Sequence, residues 1–404
     1  MNILLVNKFH YQRDGVTTHY FDLANILKAH GHNVAFFSTK NANNLPTKWS
    51  KYFVTYRDLN QGGILHSLRN SLALIYNWEA KRKMRSLLTE FKPDIVHLHN
   101  VYYHLTPAIM DEVNRQGIPM IMTLHDYKLV SPNYNLFLRG KVWERSKPHK
   151  FYRAFIDKAI KDSYAKSFVG VLEQYVHFWR DSYAKINVFI APSNFLKKTF
   201  TEYGFLGNIE VLPNPIKPTR TFLPTLGKKE CFLYYGRLAP EKGIMTALQT
   251  LARHKDFSLV IAGSGPQECG LKAFVKKNHL EQLVTFAGFQ TGKALTTLIS
   301  ESKAVLVPSL WYENFPYTIL ESLAMGKLVI ASWIGGIPEL IHDGTNGLLV
   351  TPGDAESLYQ AITRAKKLPA DIFCAAAKRS VSNYNPEQFY KQLMALYAEA
   401  QKNH

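Results

Sequence analysis

Cysteine is scarce in this chain of 404 residues: Cys231, Cys269 and Cys374 are the whole supply. They lie far apart and make neither a Cys-x-x-Cys pair nor an even framework, which excludes a disulfide scaffold and a cysteine metal cluster and suits a reducing cytosol. Long apolar runs are missing as well. The opening "MNILLVNKFHYQRDG" reaches polar residues after five apolar ones, too few for a secretory leader, and no window approaches the roughly 18 uncharged apolar residues of a membrane-spanning helix. The expectation is a chain that neither spans nor crosses a membrane. Acidic side chains are also in deficit, 31 against 49 basic ones, for a net charge of +18. Such an excess favours a polyanion: nucleic acid, anionic lipid or a phosphorylated substrate. No nucleic-acid-binding module is apparent, which argues against the first.

What is present is an ordinary globular composition, 46% hydrophobic and 13% aromatic, enough for a large core split into two domains of roughly 150 to 200 residues. One unit repeats, an apolar strand-like run followed by a helical pattern. Buried strands are expected at "NILLV" (2–6), "NVAFFS" (33–38), "DIVHLH" (94–99), "PMIMTL" (119–124) and "NVFIA" (187–191). Between them lie helical stretches such as "VTTHYFDLANILKAHG", which ends on Gly31. The alternation restarts at "CFLYYG" (231–236), "FSLVIAG" (257–263), "LVTFAG" (283–288), "KAVLVPS" (303–309) and "KLVIAS" (327–332). Strand and helix alternating twice over means two doubly wound parallel sheets of Rossmann type. The proline-rich "LPNPIKPTRTFLPTLGKK" reads as the connection. The expected division is an N-terminal domain at 1–212, a linker at 213–229, a second domain at 230–384 and a C-terminal helix at 385–404.

Ligands of open α/β sheets bind outside the carboxyl ends of the strands. Gly15 follows the first strand just before a helix, where backbone N–H groups can approach an anion. His125 and Asp126 end the fourth strand in "TLHDYKLVSP"; His125 either makes a structural hydrogen bond or meets a substrate hydroxyl, with Asp126 orienting its ring. His97 and His99 in "HLHN" could suggest a metal, but without a further placed ligand they read as strand-end packing and cleft lining. In the second half, "CFLYYG" runs into "RLAPEKG", bringing Arg237 and Lys242 beside a helix start, a place for a diphosphate. Gly335 and Gly336 in "GGIPELI" let more backbone approach.

Two glutamates stand in "WYENFPYTILESLAMGKLVIAS". Glu313 falls in a strand's exit loop. Glu321 falls on the next helix, which has Pro316 in its first turn, among Ile319, Leu320, Leu323 and Ala324. A carboxylate there needs donors, and a ribose diol offers two hydroxyls at carboxylate spacing. From Leu136 to Lys185 the chain holds eleven Lys/Arg, five Asp/Glu and eleven Phe/Trp/Tyr. This segment reads either as a solvated helical face whose aromatics serve the core or as a surface for an anionic bilayer.

"GRLAPEKGI", "PSLWYENFPYTILESLAMGKLVIAS", "GGIPELIHDGTNGLLV" and "TLHDYKLVSPNY" resemble the signatures of the family-4 retaining glycosyltransferases, over a span from about residue 2 to the C-terminal helix. The resemblance implies the GT-B fold, with the C-terminal helix crossing back to the first domain, and transfer of a sugar from a nucleotide diphosphate donor with retention. It implies that Glu321 holds the donor ribose, that Glu313 and the backbone of Asn314, Phe315 and Pro316 meet the donor sugar and diphosphate, and that Arg237 and Lys242 neutralise the leaving diphosphate. Gly15 would approach the diphosphate, and His125 would face the donor sugar. Departure of a nucleoside diphosphate builds charge that fixed cations can stabilise. No metal or other cofactor is then expected, and the chain has no Asp-x-Asp pair.

The expected partners are therefore a UDP- or GDP-sugar, a saccharide or polyprenyl-linked acceptor and the inner face of the cell membrane, where a cytoplasmic enzyme would sit peripherally. Lys141, Arg145, Lys147, Lys150 and Arg153 are the expected lipid contacts. Alternatives are an inactive scaffold subunit or a basic protein binding nucleic acid or membrane. One departure stands out: the usual glycine pair reads Asp14-Gly15, which sets a carboxylate beside the expected diphosphate.

Overall fold

A computed structural model of the chain describes residues 1–56, 74–216, 231–368 and 370–402. The chain divides into two compact units, one made of Met1–Leu136, Glu144–Pro213 and Glu387–His404, the other of Phe137–Trp143 and Asn214–Pro386. Most of the connection expected at 213–229, from Lys217 onward, lies outside the described residues.

The first unit is built on β1 (Asn2–Val6), β2 (Asn33–Phe37), β3 (Ile95–Leu98), β4 (Met120–Thr123), β7 (Val188–Ala191) and β8 (Ile209–Val211), paired in the order β2-β1-β3-β4-β7-β8. Every pairing is parallel. Ile3, Leu4, Leu5 and Val6 are buried on both faces, as a parallel sheet between helices requires. β5 (Phe137–Leu138) and β6 (Lys141–Val142) form a separate antiparallel hairpin.

The carboxylate of Asp14 is accounted for by the helix Gly15–Ala29. Asp14 is its N-cap: its carboxylate accepts from the Thr17 N–H at 3.1 Å, and its own N–H donates to Thr17 Oγ1 at 2.9 Å. The acid is turned into the first helical turn, where it satisfies an orphan donor and favours the helix dipole. The C-terminal helix Pro386–Lys402 belongs to the same unit. Its Tyr397 hydroxyl lies 2.8 Å from His97 Nδ1, and its Tyr390 ring stacks on His30 at 3.6 Å.

The second unit repeats the plan with β9 (Cys231–Tyr235), β10 (Ser258–Ala262), β11 (Val284–Gly288), β12 (Ala304–Val307), β13 (Leu328–Ser332) and β14 (Leu348–Val350), in the order β11-β10-β9-β12-β13-β14 and again all parallel. Two apolar clusters cover its sheet, one around Phe232, Leu259 and Leu306, the other around Leu233, Val305 and Ile319.

Each sheet has a point where successive crossovers change direction. In the first it lies between β1 and β3, in the second between β9 and β12. The carboxyl ends of strands at such a point leave a crevice in which ligands settle.

Candidate active site

The crevice of the second unit is floored by the exits of β9 and β12. Past β9, Gly236 and Leu238 donate backbone hydrogen bonds to Ala262 and Ser264 beyond the neighbouring strand, at 3.0 and 2.9 Å. The chain then makes a single turn, Pro240–Lys242, and the helix Ile244–His254 starts from Gly243 with φ +69°. No side chain fits at 243, since a Cβ would sit 1.8 Å from the Pro308 carbonyl oxygen. This close approach sets the helix start against the β12 exit, and the Leu310 N–H donates to the Glu241 carbonyl at 2.8 Å.

Lys242 is thereby brought to Glu313, its Nζ 2.7 Å from Oε1, and Ser309 Oγ donates to the same oxygen at 2.7 Å. Glu313 is buried, with 5% of its surface exposed. Burial alone would raise its pKa, but the Lys242 ammonium and the Ser309 hydroxyl hold the carboxyl below its ordinary value. It stays ionised. Arg237 makes an ion pair with Glu241, so each expected diphosphate cation has a carboxylate of its own. The Arg237 side chain remains half exposed.

Glu313 is fixed from its backbone side too. After β13 the chain turns through Gly335 at φ +64°, where a Cβ would meet the Glu313 carbonyl oxygen at 2.4 Å, and the Gly336 N–H donates to that oxygen at 2.6 Å. The glycine pair braces the backbone of Glu313. The Phe315 carbonyl accepts from Asn214 Nδ2 at 3.2 Å, and Pro316 opens the helix Tyr317–Ala324 with no side-chain cap. Glu321 lies on that helix, with Tyr235 Oη 3.3 Å from its Oε2.

The two acids exchange the environments their sequence context suggested. Glu321, among apolar neighbours, is only half-buried, whereas loop-borne Glu313 is the sequestered one. The reason is Lys242, which lies 71 positions away in the chain yet makes the burial of Glu313 tolerable.

In the first unit the ends of β3 and β4 bring histidines together. His97 and His99 share one face of the sheet, stacked 4.8 Å apart, and His99 stacks on His125 at 5.3 Å. His99 Nδ1 lies 3.0 Å from His125 Nε2. His125 is half-buried, and burial together with the neighbouring His19 and His97 pushes its pKa well below the ordinary imidazole value. It is a neutral ring at neutral pH. His99 is one group that orients the His125 ring. Asp126 accepts from the Lys128 N–H at 2.9 Å and from Asn100 Nδ2 at 3.3 Å, and burial raises its pKa to about 6.

Among the described residues His99 Nε2 is buried without a hydrogen-bond partner, and the direction of the His99–His125 hydrogen bond is set by the tautomers of the two rings. His19 supplies a third imidazole: one ring nitrogen each from His19, His99 and His125 lies within 4.8 Å of the others. Such nitrogens could approach a metal ion. Nothing in "HLHN" signals this third ring, which comes from the helix after β1. Gly15 is the first residue of that helix, next to the cap described above.

With this geometry in place, comparison with known proteins is decisive for family. A model for Glycosyltransferase Family 4 matches residues 13–220, and one for glycosyl transferases group 1 matches residues 217–388. The chain belongs to glycosyltransferase family 4. The α-D-kanosaminyltransferase of Streptomyces kanamyceticus is 30% identical over 181 residues, 43% of this family-4 chain and 47% of that protein. The amylovoran biosynthesis glycosyltransferase AmsK of Erwinia amylovora is 30% identical over 173 residues, 40% of the chain and 42% of that protein. The chain thus matches somewhat less than half the length of these two relatives. An uncharacterised 42.6 kDa protein of the Klebsiella pneumoniae cps region is 24% identical over 84% of the chain and 87% of its own length.

Among solved structures, the sucrose-phosphate synthase of Thermosynechococcus elongatus superposes with a TM-score of 0.74 at 20% identity, covering 98% of both chains. HepE of Anabaena in complex with UDP-glucose gives 0.66 at 16% identity, over 98% of this chain and 99% of its own. The family-4 chain has the GT-B fold of two Rossmann-like parallel-sheet units.

Proposed function

We propose that this family-4 glycosyltransferase moves a sugar from a nucleotide diphosphate donor to a saccharide or lipid-linked saccharide acceptor, with retention and without a divalent metal, in the building of a surface polysaccharide or glycolipid. The observation that carries the reading is the switch point of the second unit, where the exits of β9, β12 and β13 lock Lys242 and Glu313 into one rigid platform beside Arg237. A platform of that kind is preorganised for charge that develops on a departing diphosphate. Relatives and neighbours named for kanosamine transfer, amylovoran synthesis and a UDP-glucose complex support the same chemistry.

The contacts support the residue roles that the resemblance implies. Glu321, half-buried near the Tyr235 hydroxyl, takes the ribose diol; Glu313 and the backbone of Asn314, Phe315 and Pro316 take the donor sugar. Arg237 and Lys242 supply positive charge where a metal would otherwise be needed. The bond from the anomeric carbon to phosphate oxygen breaks as the acceptor oxygen bonds to that carbon from the same face, and the acceptor proton passes to the leaving phosphate. No nucleophilic role is given to Glu313, because the same-face route forms no bond to the protein; its Oε1 instead accepts from Lys242 and Ser309. His125, a neutral ring at the end of β4, is suited to a donor-sugar hydroxyl.

Membrane contact at the inner face completes the reading. The helix Tyr164–Trp179 is inverted: its buried residues are Ser167, Gly170, Glu173, Gln174 and His177, while Tyr164, Phe168, Leu172 and Trp179 are exposed. Exposed aromatics with Lys158, Lys161 and Lys166 nearby suit a bilayer interface. Of the lysines and arginines expected at the lipid, Arg145 and Lys147 are instead committed to Asp157 and Glu202.

Calorimetry with UDP- and GDP-sugars tests the donor reading. Glu321→Ala and Arg237→Ala should each weaken binding by about tenfold or more, in line with the 1.5 to 3 kcal/mol of a charge-assisted hydrogen bond. Unchanged affinity in both variants would overturn the transferase reading and leave the inactive scaffold.

A further inference from the structure

The crevice of the first unit holds a cation to which none of the roles above has been given. Lys8 lies two residues beyond β1, at the point between β1 and β3 where the crossovers change direction. Its backbone is fixed. The Lys8 N–H donates to the Asn100 carbonyl at 2.8 Å, and its carbonyl accepts from Thr39 Oγ1 at 2.7 Å and Ser38 Oγ at 3.0 Å. The side chain is half-buried, with Nζ 5.0, 5.6 and 5.9 Å from the ring centres of Phe9, Tyr103 and Tyr56.

Among the described residues no carboxylate lies within ion-pair distance of Lys8 Nζ. Charge of the same sign gathers there instead. The Arg13 guanidinium sits over the same Phe9 ring at 4.3 Å. Its nearest acid, Asp14, is 3.9 Å away and committed to capping the helix. Burial first, then the charges of Arg13 and Lys161, push the Lys8 ammonium down to about 8, with Asp14 opposing them. A fixed cation held among rings and like charges is short of a counter-anion.

We propose that Lys8 and Arg13, with Lys161, form an anion subsite that takes a phosphate or diphosphate group carried by the acceptor. The proposal rests on the transferase reading only for the word acceptor. Lysine offers such a group a compact charge and arginine a planar fork, and the site stands where a parallel sheet presents its ligands. Two sources share this chemistry: a lipid-linked diphosphate and a soluble sugar phosphate. Lys161 stands in the chain between the helices Arg153–Ile156 and Tyr164–Trp179, the second of which carries the exposed aromatic face.

The test is calorimetry on the full chain, saturated with whichever of UDP or GDP it binds so that the Arg237 and Lys242 side is occupied. Farnesyl diphosphate, glucose 1-phosphate and inorganic phosphate are titrated at two salt concentrations. At least one should bind, more weakly at higher salt, with a Kd raised at least tenfold by Lys8→Gln, several-fold by Arg13→Gln or Lys161→Gln, and returned to within a few-fold by Lys8→Arg. Preference for farnesyl diphosphate or for glucose 1-phosphate identifies the source. Failure of all three to bind, or equal affinity in Lys8→Gln, overturns the subsite. Failure of every nucleotide and nucleotide sugar to bind counts against the transferase reading instead, and the three phosphates still report on Lys8 without nucleotide.

Discussion

Gly335 shows how closely a single position can control the site. Its φ of +64° is unfavourable for any side chain, and its missing Cβ leaves room for the Glu313 backbone, which a methyl would meet at 2.4 Å. Gly335→Ala should therefore cost about 1 to 3 kcal/mol, lower the melting temperature and weaken nucleotide-sugar binding as Glu313 shifts away from Lys242. Gly270 is the control: it lies in the helix Glu268–Lys277, where an added methyl would meet nothing within 4 Å, so Gly270→Ala should be neutral or stabilising by up to about 1 kcal/mol. Thermal melts of the two variants with and without ligand decide the matter; equal melting temperatures would sink the bracing role. At this scale the sequence was legible where a residue acts through its neighbours in the chain, as at Pro316, which opens the helix Tyr317–Ala324. It was illegible where the partner is remote. Local context suggested the deeper burial for Glu321, and only Lys242 explains why Glu313 has it.

Among elements, the long apolar runs announced themselves: each of the ten expected strands is found, some shortened by a residue or two at their ends. β8 and β14 did not, because three residues at a sheet edge carry too little pattern to separate from loop. The helix Tyr164–Trp179 was ambiguous for a physical reason. Its periodicity reports that one face is apolar, and only the fold reports that this face points outward. Because Phe168, Leu172 and Trp179 are exposed by 56, 43 and 73%, replacing all three by Ser should cost no more than about 1.5 kcal/mol per site in a thermal melt, below the cost at a core position. Binding to vesicles containing anionic lipid should fall at least tenfold. A large loss of stability would show that the face is packed against protein, and unaltered vesicle binding would remove the membrane from the proposal.

On the scale of the whole molecule, the two units should differ in their response to acid. Burial pushes His19 to about 4 and His97 to about 3, and His99 and His125 also lie well below the ordinary 6.5. All four belong to the first unit. Their unfolded forms bind protons that the folded forms refuse, so their contribution is fully present above pH 6.5 and is lost as pH falls toward the folded values. His19 alone, displaced from 6.5 to about 4, corresponds to on the order of 3 kcal/mol at 1.36 kcal/mol per unit. Asp126 opposes this: raised to about 6, it favours the folded state at low pH and loses that contribution as pH rises through 6, but His10 and His177 of the same unit, both lowered to about 4 by burial, act with the cluster. In the second unit Lys327, lowered to about 8, loses its contribution as pH falls from its unfolded value toward 8, so little further change is expected from it below neutrality. Denaturant unfolding between pH 7 and 5 should therefore weaken the first unit by several kcal/mol while moving the second far less, and His19→Phe should flatten the slope of the first by close to one proton. A slope unchanged by that substitution would mean that the ring titrates normally in the folded chain, and that the histidine cluster is more open to water than its packing against Phe389 and His99 implies.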